Sequence, residues 1–508
     1  MISTDNIIRH VLTILCTTLA TIPSISYAQP ANIIYILADD LGYGDVGYLN
    51  ANSKIATPHI DKLAQQGMSF DNAYTSSAVC TPTRYGIMTG RYAWRTRLKH
   101  GVLVNFDYPL IEKNRMTVAL MLKEKGYNTA MIGKWHLGHE WVRKDGKRAP
   151  WPKRSLKETN VDFSQKVHTG INDFGFDYSF AINASADMLP YAFIENGKTV
   201  GIPNIKKGRK GYGRPGLMVP GWKTENIMPT FTDKAVDYIT LQAKQKTTPF
   251  FLYLPLNAPH TPIAPNQAYF NRSKAGKYGD FVTEVDDNIG RILATVKQAG
   301  IEENTVIIFT SDNGPERIMY KRINEYQHNS SGILRGAKRD AWEGGSKVPF
   351  IVKWPAKVPA NSQSDTLVST VDFFATASDI ANTSYPKSAG EDSFSFLASL
   401  KKSSLSQANS AEQKKTRSQR DAVIMHTGGG GFAIRIGQWK YIAGQGSNKG
   451  NRYKTGPNAK ANNKAPVQLY NLSEDPSELN NLYLVKPKIA QQLKARLMAI
   501  KASTSTAP

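Results

Sequence analysis

Cysteine is almost absent: the chain of 508 residues holds two, Cys16 and Cys80. A disulfide-stapled fold is excluded, and so is a zinc centre built on a set of thiolates. Long apolar runs are missing too, since nothing after residue 30 approaches the roughly 20 apolar residues that span a bilayer. Acidic side chains are in deficit, 41 Asp+Glu against 64 Lys+Arg, and the formal net charge is +23. Such an excess argues for polyanionic partners: nucleic acid, an anionic membrane surface or a sulfated glycan. Internal repeats are absent, which excludes a solenoid or propeller.

What is present begins with an address. "MISTDNIIRH" is a short polar start, "VLTILCTTLATIPSI" an apolar core, and "SYAQP" supplies small residues for cleavage. Residues 1–28 therefore read as a secretory signal peptide, and the mature protein is expected to be periplasmic or secreted. Export argues against intracellular nucleic acid as a partner, and no membrane span is expected. Leu15 is a poor residue to precede a lipidated cysteine, so Cys16 is expected to leave with the leader. Cys80 then has no partner for an internal disulfide, which makes it either an intermolecular link or a reactive group.

The remainder is too long for one ordinary core. Short apolar runs alternate with helical patterns, and the fold class expected is α/β, a large, mostly parallel sheet sandwiched by helices. "NIIYIL" (32–37), "FFLYLPL" (250–256) and "TVIIFT" (305–310) read as buried strands, and "PFIVKW" near 350 as a further one. Phe281, Val285, Ile289, Ile292 and Val296 recur at helical spacing, with Gly300 placed to end that helix. After about residue 385 the composition changes. "KKSSLSQANSAEQKKTRSQR" is polar, Ser-rich and basic, an insertion or linker. "FAIRIGQWKYIAG" and "PVQLYNL" look like antiparallel strands, and "PKIAQQLKARLMAIK" like a closing helix. The expected division is 29–385 for a catalytic domain, 386–421 for a linker and 422–508 for a smaller α+β domain.

In open α/β sheets ligands bind beyond the carboxyl ends of the strands. Asp39-Asp40 follows the first strand, Asp312-Asn313-Gly314 follows "TVIIFT", His260 follows "FFLYLPL", and Lys134-Trp135-His136 follows "NTAMIG". Singly, each has an ordinary explanation: a turn former, a helix cap, a solvated side chain. Recurrence at the same end of successive strands is what those explanations do not provide. Three carboxylates and an amide oxygen suit a hard divalent cation, Ca²⁺ or Mg²⁺, and lack the ligands zinc prefers. Pro82 and the run after Thr83 place Cys80 at or near a helix N-terminus, where the dipole favours an anion.

"CTPTR" (80–84) with "YGIMTGRY" resembles the C-x-P-x-R signature of the type I sulfatases, whose cysteine is oxidised to formylglycine during export. "ADDLGYGDVG", "GKWHLG", "APHTP", "SDNG", "LRGAKRDAWEGGSKVP" and the C-terminal "IRIGQWKYI" and "LYNLSEDPSELNNL" follow in family order. The resemblance covers nearly the whole mature chain. It implies the alkaline phosphatase-like fold and one Ca²⁺, held by Asp39, Asp40, Asp312 and Asn313 with modified Cys80 completing the shell. It also implies catalytic roles for Cys80, Arg84, Lys134, His136, His260, Asp312 and Lys338, and a formylglycine-generating or sulfatase-maturating enzyme as partner.

The chemistry the resemblance implies is sulfate-ester hydrolysis on a sulfated polysaccharide or oligosaccharide, and "FDYSFAINASADMLPYAFIEN" resembles the subfamilies that act on galactose- or hexosamine-type sugars. His100, His168, Asp187 and Arg335 are the substrate contacts expected, and the basic stretches 143–154 and 205–214 are further candidates. Two alternatives stand beside this. A phosphomonoester, phosphodiester or phosphonate hydrolase of the same superfamily would, in its two-metal forms, need more histidine ligands than nine dispersed histidines offer. A non-catalytic binder of sulfated glycan would have no need of Cys80, Arg84, Lys134, His136 and His260 together.

Overall fold

The runs Asn32–Ala38, Phe250–Pro255 and Thr305–Ser311 are almost wholly apolar and lie side by side in the middle of a ten-stranded sheet. This is a computed structural model, and it describes residues 30–148, 158–209, 213–400, 420–447 and 465–507. The expected leader, most of the Ser-rich insertion, and parts of both basic stretches lie outside the described residues.

By first residue, the strands run 362, 68, 350, 305, 32, 250, 128, 178, 194, 198 across the sheet. The five from 305 to 178 are mutually parallel, with Ala38 opposite Ser311 and Leu37 opposite Pro255. Their carboxyl ends therefore reach one common edge. The run near 350 is a strand as expected, Phe350–Lys353, but antiparallel to its neighbours. Tyr178–Ile182, which sequence alone did not mark as a strand, extends the parallel set.

Side chains alternate across the strands. Ile33, Tyr35 and Leu37 enter one core with the helices Cys80–Thr89, Val118–Glu124 and Phe373–Ile380. Ile34, Ile36 and Ala38 enter the other, with Ile227–Gln242 and Gly276–Gln298. The latter helix carries the predicted Phe281, Val285, Ile289, Ile292 and Val296, all buried, and Gly300 just beyond it has φ +68°. Because both faces of the sheet are covered, its central strands read as continuous apolar runs without alternation.

A second, four-stranded antiparallel sheet, Ala422–His426, Phe432–Ile436, Trp439–Ile442 and Gln468–Asn471, forms near the C-terminus. One face packs on Leu493, Leu497 and Ile500 of the helix Pro487–Ala502. Val423, Met425 and Tyr470 on the other face pack on Tyr74, Ala341 and Trp342 of the larger unit. No helix among the described residues is long and apolar enough to cross a membrane.

Candidate active site

Where the parallel strands end, their hydrogen-bond ladder runs on by one residue. The Asp39 N–H donates to the Ala258 carbonyl (3.0 Å) and the Asp312 N–H to that of Ala38 (3.0 Å). Three carboxylates are thereby fixed close together, and the Asp40 N–H, at a left-handed φ of +65°, donates to Asp312 Oδ1 (3.2 Å). Asp39, Asp40, Asp312 and Asn313 are all buried.

Cys80 enters from the opposite side as the first residue of the helix Cys80–Thr89, with Val79 extended before it. Pro82 lies in the first turn, where a missing N–H costs nothing. The four-residue spacing in "CTPTR" puts Cys80 and Arg84 on one helix face. The helix end therefore offers positive dipole, a thiol and a guanidinium to the same point. Cys80 Sγ lies 3.6 Å from Asp39 Oδ1 and 3.3 Å from Lys338 Nζ. Burial, reinforced by Asp312, pushes the thiol up to about 12, despite Lys134 and Lys338 pulling the other way. As encoded, the group is a neutral thiol and a poor nucleophile.

Three cations balance the carboxylates. Lys134 Nζ bridges both Asp39 oxygens (2.7 and 3.0 Å). Arg84 Nε and Nη2 share Asp312 Oδ2 (3.0 and 2.7 Å), while its Nη1 donates to the Lys134 carbonyl (2.9 Å). Lys338 Nζ sits 2.6 Å from Asp40 Oδ1. Its neighbours hold it there: the Lys338 N–H donates to Pro315 O and the Arg339 N–H to Ala78 O. Burial alone would raise all three carboxyls. For Asp39 it is outweighed by Lys134, His260, Arg84 and Lys338, which hold it well below the usual range. For Asp40 and Asp312 burial prevails, helped by Asp39, and both are raised.

The histidines differ in setting. His136, at φ +58°, points Nε2 at the Leu103 carbonyl (2.9 Å) and leaves Nδ1 buried without a partner. Nε2 is therefore the protonated nitrogen, and Nδ1 carries the free lone pair. Burial, Lys134 and Arg84 hold its basicity well below the ordinary imidazole value. His260 Nε2 lies 3.7 Å from Asp40 Oδ2. Burial and Lys338 bring this imidazole down to about 4.

At this cluster Asp40 Oδ2 and Asn313 Oδ1 are buried and have no hydrogen bond. Asn313 is oriented with Nδ2 donating to Asp40 Oδ1 (2.6 Å), so its carbonyl oxygen is the free end. Unpartnered oxygens beside carboxylates with raised pKa values are what a hard divalent cation satisfies. The donor set fits one such ion, and Asp39, Asp40, Cys80 and His260 bring ligand atoms within 4.8 Å of one another. A second group, His59, Asp286 and Asp287, has the same spacing, but Asp286 already accepts the N–H groups of His59 and Ile60 at a helix start.

The four residues expected to touch substrate are scattered. Asp187 lies near enough to His260 to raise its basicity, and its Oδ2 is 3.4 Å from Arg214 Nε. His100 is exposed beside the glycine loop 428–431. His168 is exposed, its N–H on the Glu140 carbonyl. Arg335 departs from the expectation: it is fully buried, stacks on Trp342 (3.9 Å) and donates to Tyr470 Oη and the Glu478 carbonyl. It ties the small sheet to the large one and is closed to a soluble substrate. Sequence reasoning missed Glu316, which pairs with Arg339 (2.7 Å) and acts electrostatically on Lys338 and Asp40. It also missed Thr81, whose hydroxyl donates to the His136 carbonyl. Thr81 sits inside "CTPTR" and Arg339 follows Lys338, so adjacency to a motif was the signal available.

Known proteins resemble this chain in sequence and in fold. The sulfatase family profile matches residues 31–383. An N-acetylgalactosamine-6-O-sulfatase of Bacteroides thetaiotaomicron is 34% identical, covering 93% of this chain and 94% of its own. Human arylsulfatase A is 30% identical over 96% and 91% of the two chains. A solved sulfatase from the glycosaminoglycan-metabolising locus of B. thetaiotaomicron superposes with a TM-score of 0.78 at 32% identity, over 94% of this chain and all of that one. With a profile spanning most of its length and relatives matched nearly end to end, this chain belongs to the sulfatase family and is a sulfuric ester hydrolase.

Proposed function

We propose that this sulfatase acts outside the cytoplasm on a sulfated polysaccharide or its oligosaccharides, of galactose or hexosamine type, through a formylglycine made from Cys80 by a maturating enzyme. Ca²⁺, with Mg²⁺ as the alternative, is the ion assigned to Asp39, Asp40, Asp312 and Asn313. One observation carries the reading: Cys80 Sγ stands between Asp39 and Lys338 at a helix N-terminus, in a cluster with Asp40, which is itself bonded to Asn313. The names of relatives that act on N-acetylgalactosamine 6-sulfate support the substrate class, as does the charge of +23. The division at residues 385 and 422 belongs to the same reading.

A hydrated formylglycine supplies two hydroxyls, one to attack sulfur and one whose later deprotonation releases sulfate, and a divalent cation acidifies them. The chain's own groups do the rest. Asp312 takes the proton of the attacking hydroxyl. Lys134, Lys338 and Arg84 hold the anionic oxygens, where charge develops as the bond to sulfur forms. His260 delivers a proton to the departing sugar oxygen, its imidazolium favoured once an anionic sulfate sits beside it. His136, with Nδ1 free, accepts the second hydroxyl's proton. Asp187, His100 and His168 remain candidate sugar contacts.

The test is the mass of the peptide spanning Ser76 to Arg84, from a host with the maturating machinery, alongside turnover of a 6-sulfated galactosamine before and after Cys80→Ala. A formylglycine mass and a loss of at least about 10³-fold in kcat are expected. An unmodified cysteine in active enzyme, or turnover surviving the substitution, sinks the mechanism.

A further inference from the structure

The mechanism above uses one edge of the large sheet and leaves a second basic feature unexplained. A cavity of about 740 Å³ lies where the small sheet meets the segment after the Cys80 helix. Its lining includes Arg91, Lys99, Lys387 and Lys501 together with Trp94 and Phe432, and Glu391 is the sole carboxylate among the lining residues described. Glu391 is already engaged by Arg91 (3.2 Å) and Arg115 (2.9 Å). Lys99, Lys387 and Lys501 have no carboxylate within ion-pair distance among the described residues, and all three are exposed. Lys501 Nζ stands over the Phe432 ring (4.2 Å), and Lys99 Nζ donates to the Trp94 carbonyl (2.7 Å), so two of the three ammonium groups are held in place.

Three uncompensated cations around one concavity leave a positive potential that a polyanion relieves. The same field reaches a neighbour: His426 is brought down to about 4, first by burial and further by His100, Lys501 and Lys99. The cavity also connects to the reacting centre through the backbone. The end of the strand Ala422–His426 is stitched to the segment before Cys80, the His426 carbonyl accepting from Ser77 Oγ (2.7 Å) and the Ala78 N–H (2.9 Å). The loop that follows packs Gly428 against Val79 and Arg339, next to Cys80 and Lys338, while Gly430 lines the cavity. Gly428 and Gly430 are two residues apart in a tight turn, the Gly430 N–H donating to the Thr427 carbonyl (3.1 Å), and so at most roughly 7 Å from each other.

We propose that this cavity is a second anion site, which binds a sulfate or carboxylate on another sugar of the same glycan as the one being desulfated. The inference rests on the sulfated-glycan reading above and extends it: the substrate is held at two points, with the glycine loop as the bridge between them. Two-point binding raises the effective concentration of the target ester at Cys80 without new contacts there. Long chains gain from it, and monosaccharides do not.

The experiment uses the full chain and the paired charge reversal Lys387→Glu with Lys501→Glu, both on exposed side chains. Binding of a 6-sulfated galactosaminoglycan hexasaccharide is measured by calorimetry, and turnover is measured on that hexasaccharide and on N-acetylgalactosamine 6-sulfate. The expected result is about tenfold weaker hexasaccharide binding in the variant, a KM for hexasaccharide raised to match, and monosaccharide turnover unchanged within about twofold. Parent and variant should also differ less at 0.5 M salt than at 0.05 M, as about a threefold shorter screening length requires. A parent that does not bind the hexasaccharide, a variant that binds it equally well, or equal losses on both substrates each overturns the cavity site. Hexasaccharide binding that depends on these lysines without turnover of either sugar would instead leave the site standing and sink the proposed activity.

Discussion

Cys80 is surrounded by more positive charge than a thiol has use for. Lys338 Nζ is 3.3 Å from its sulfur and 2.6 Å from Asp40, so the ammonium group steadies both the residue at position 80 and the carboxylate beside it. Lys338→Ala is expected to lower kcat by about 10²–10³ on a small aryl sulfate while KM moves little, the pattern of a donor that acts on charge developing in the transition state. Steady-state kinetics distinguish this from a binding role, in which KM would rise alone. A second residue-scale prediction concerns Glu284, which is buried with Oε1 unpartnered and Oε2 on the Asn266 N–H (2.9 Å). Burial pushes this carboxyl up to about 7, well above the unfolded value near 4.3. The folded state then holds more protons than the unfolded one between those values, so stability is greatest at low pH in that window and declines as pH rises through about 7. Glu284→Gln keeps the acceptor and removes the charge. Its Tm should exceed the parent's at pH 8 and match it near pH 5, and a scanning fluorimetry series at the two pH values reads the difference. The strand-end carboxylates with Asn313, Arg84 and Lys134 were legible as one cluster, because each sits at a fixed offset from a strand or within a motif. Arg335 was not, since nothing in "LRGAK" says which of its two cations faces the site and which the interface.

At the scale of the element, strand ends and one helix start do the positioning. The strand Asn128–Lys134 must pass close to its neighbour before turning Lys134 inward. Gly133 makes this possible: φ is +139°, and a Cβ there would sit 1.9 Å from the Pro255 carbonyl oxygen. Gly133→Ala should therefore push the strand away from Phe250–Pro255 and carry Lys134 off Asp39. Soluble protein with a lowered Tm and about 10²-fold less activity is the expected outcome; full activity would show that the two strands can separate locally without moving the lysine. The long apolar runs were readable as strands because both faces of the sheet are covered. Direction was not readable. Phe350–Lys353 is as apolar as its parallel neighbours and runs antiparallel, because pairing partners are chosen by the connection that returns the chain and not by composition. Tyr178–Ile182 was missed for the reverse reason: its polar Tyr178 and Ser179 break the apolar run, although packing buries the strand's last four residues.

For the molecule as a whole, the question is what keeps two sheets in register around one site. Arg335 spans the junction, and Lys440 joins it from the small sheet, lying 2.9 Å from both Glu343 and Glu478. Removing Arg335 takes the guanidinium donor from the buried Glu478 carbonyl and one partner from Tyr470 Oη. Arg335→Met should cost about 3 kcal/mol, read as a Tm lower by several degrees, with KM for a sulfated monosaccharide unchanged. A raised KM without loss of stability would return Arg335 to the substrate. The segment before Cys80 also hangs on this junction through the His426 carbonyl, so a loosened small sheet should also make the helix start less ordered.

By itself, the sequence determined which side chains the strand ends and the Cys80 helix offer to one edge. Strand ends at Asp39, Lys134, Asp312 and the loop with His260 follow from apolar runs of fixed length, and the four-residue step from Cys80 to Arg84 follows from helix geometry. Those are local rules, and local rules survive without knowledge of the fold. The tertiary structure decided what is long-range: that a loop more than 250 residues after Cys80 brings Lys338 onto its sulfur, that Arg335 turns away into the interface, and that the last strands lay a glycine loop and a basic cavity beside the site. Contacts between residues hundreds of positions apart depend on how sheets pack, and packing leaves no periodic trace in the order of the amino acids.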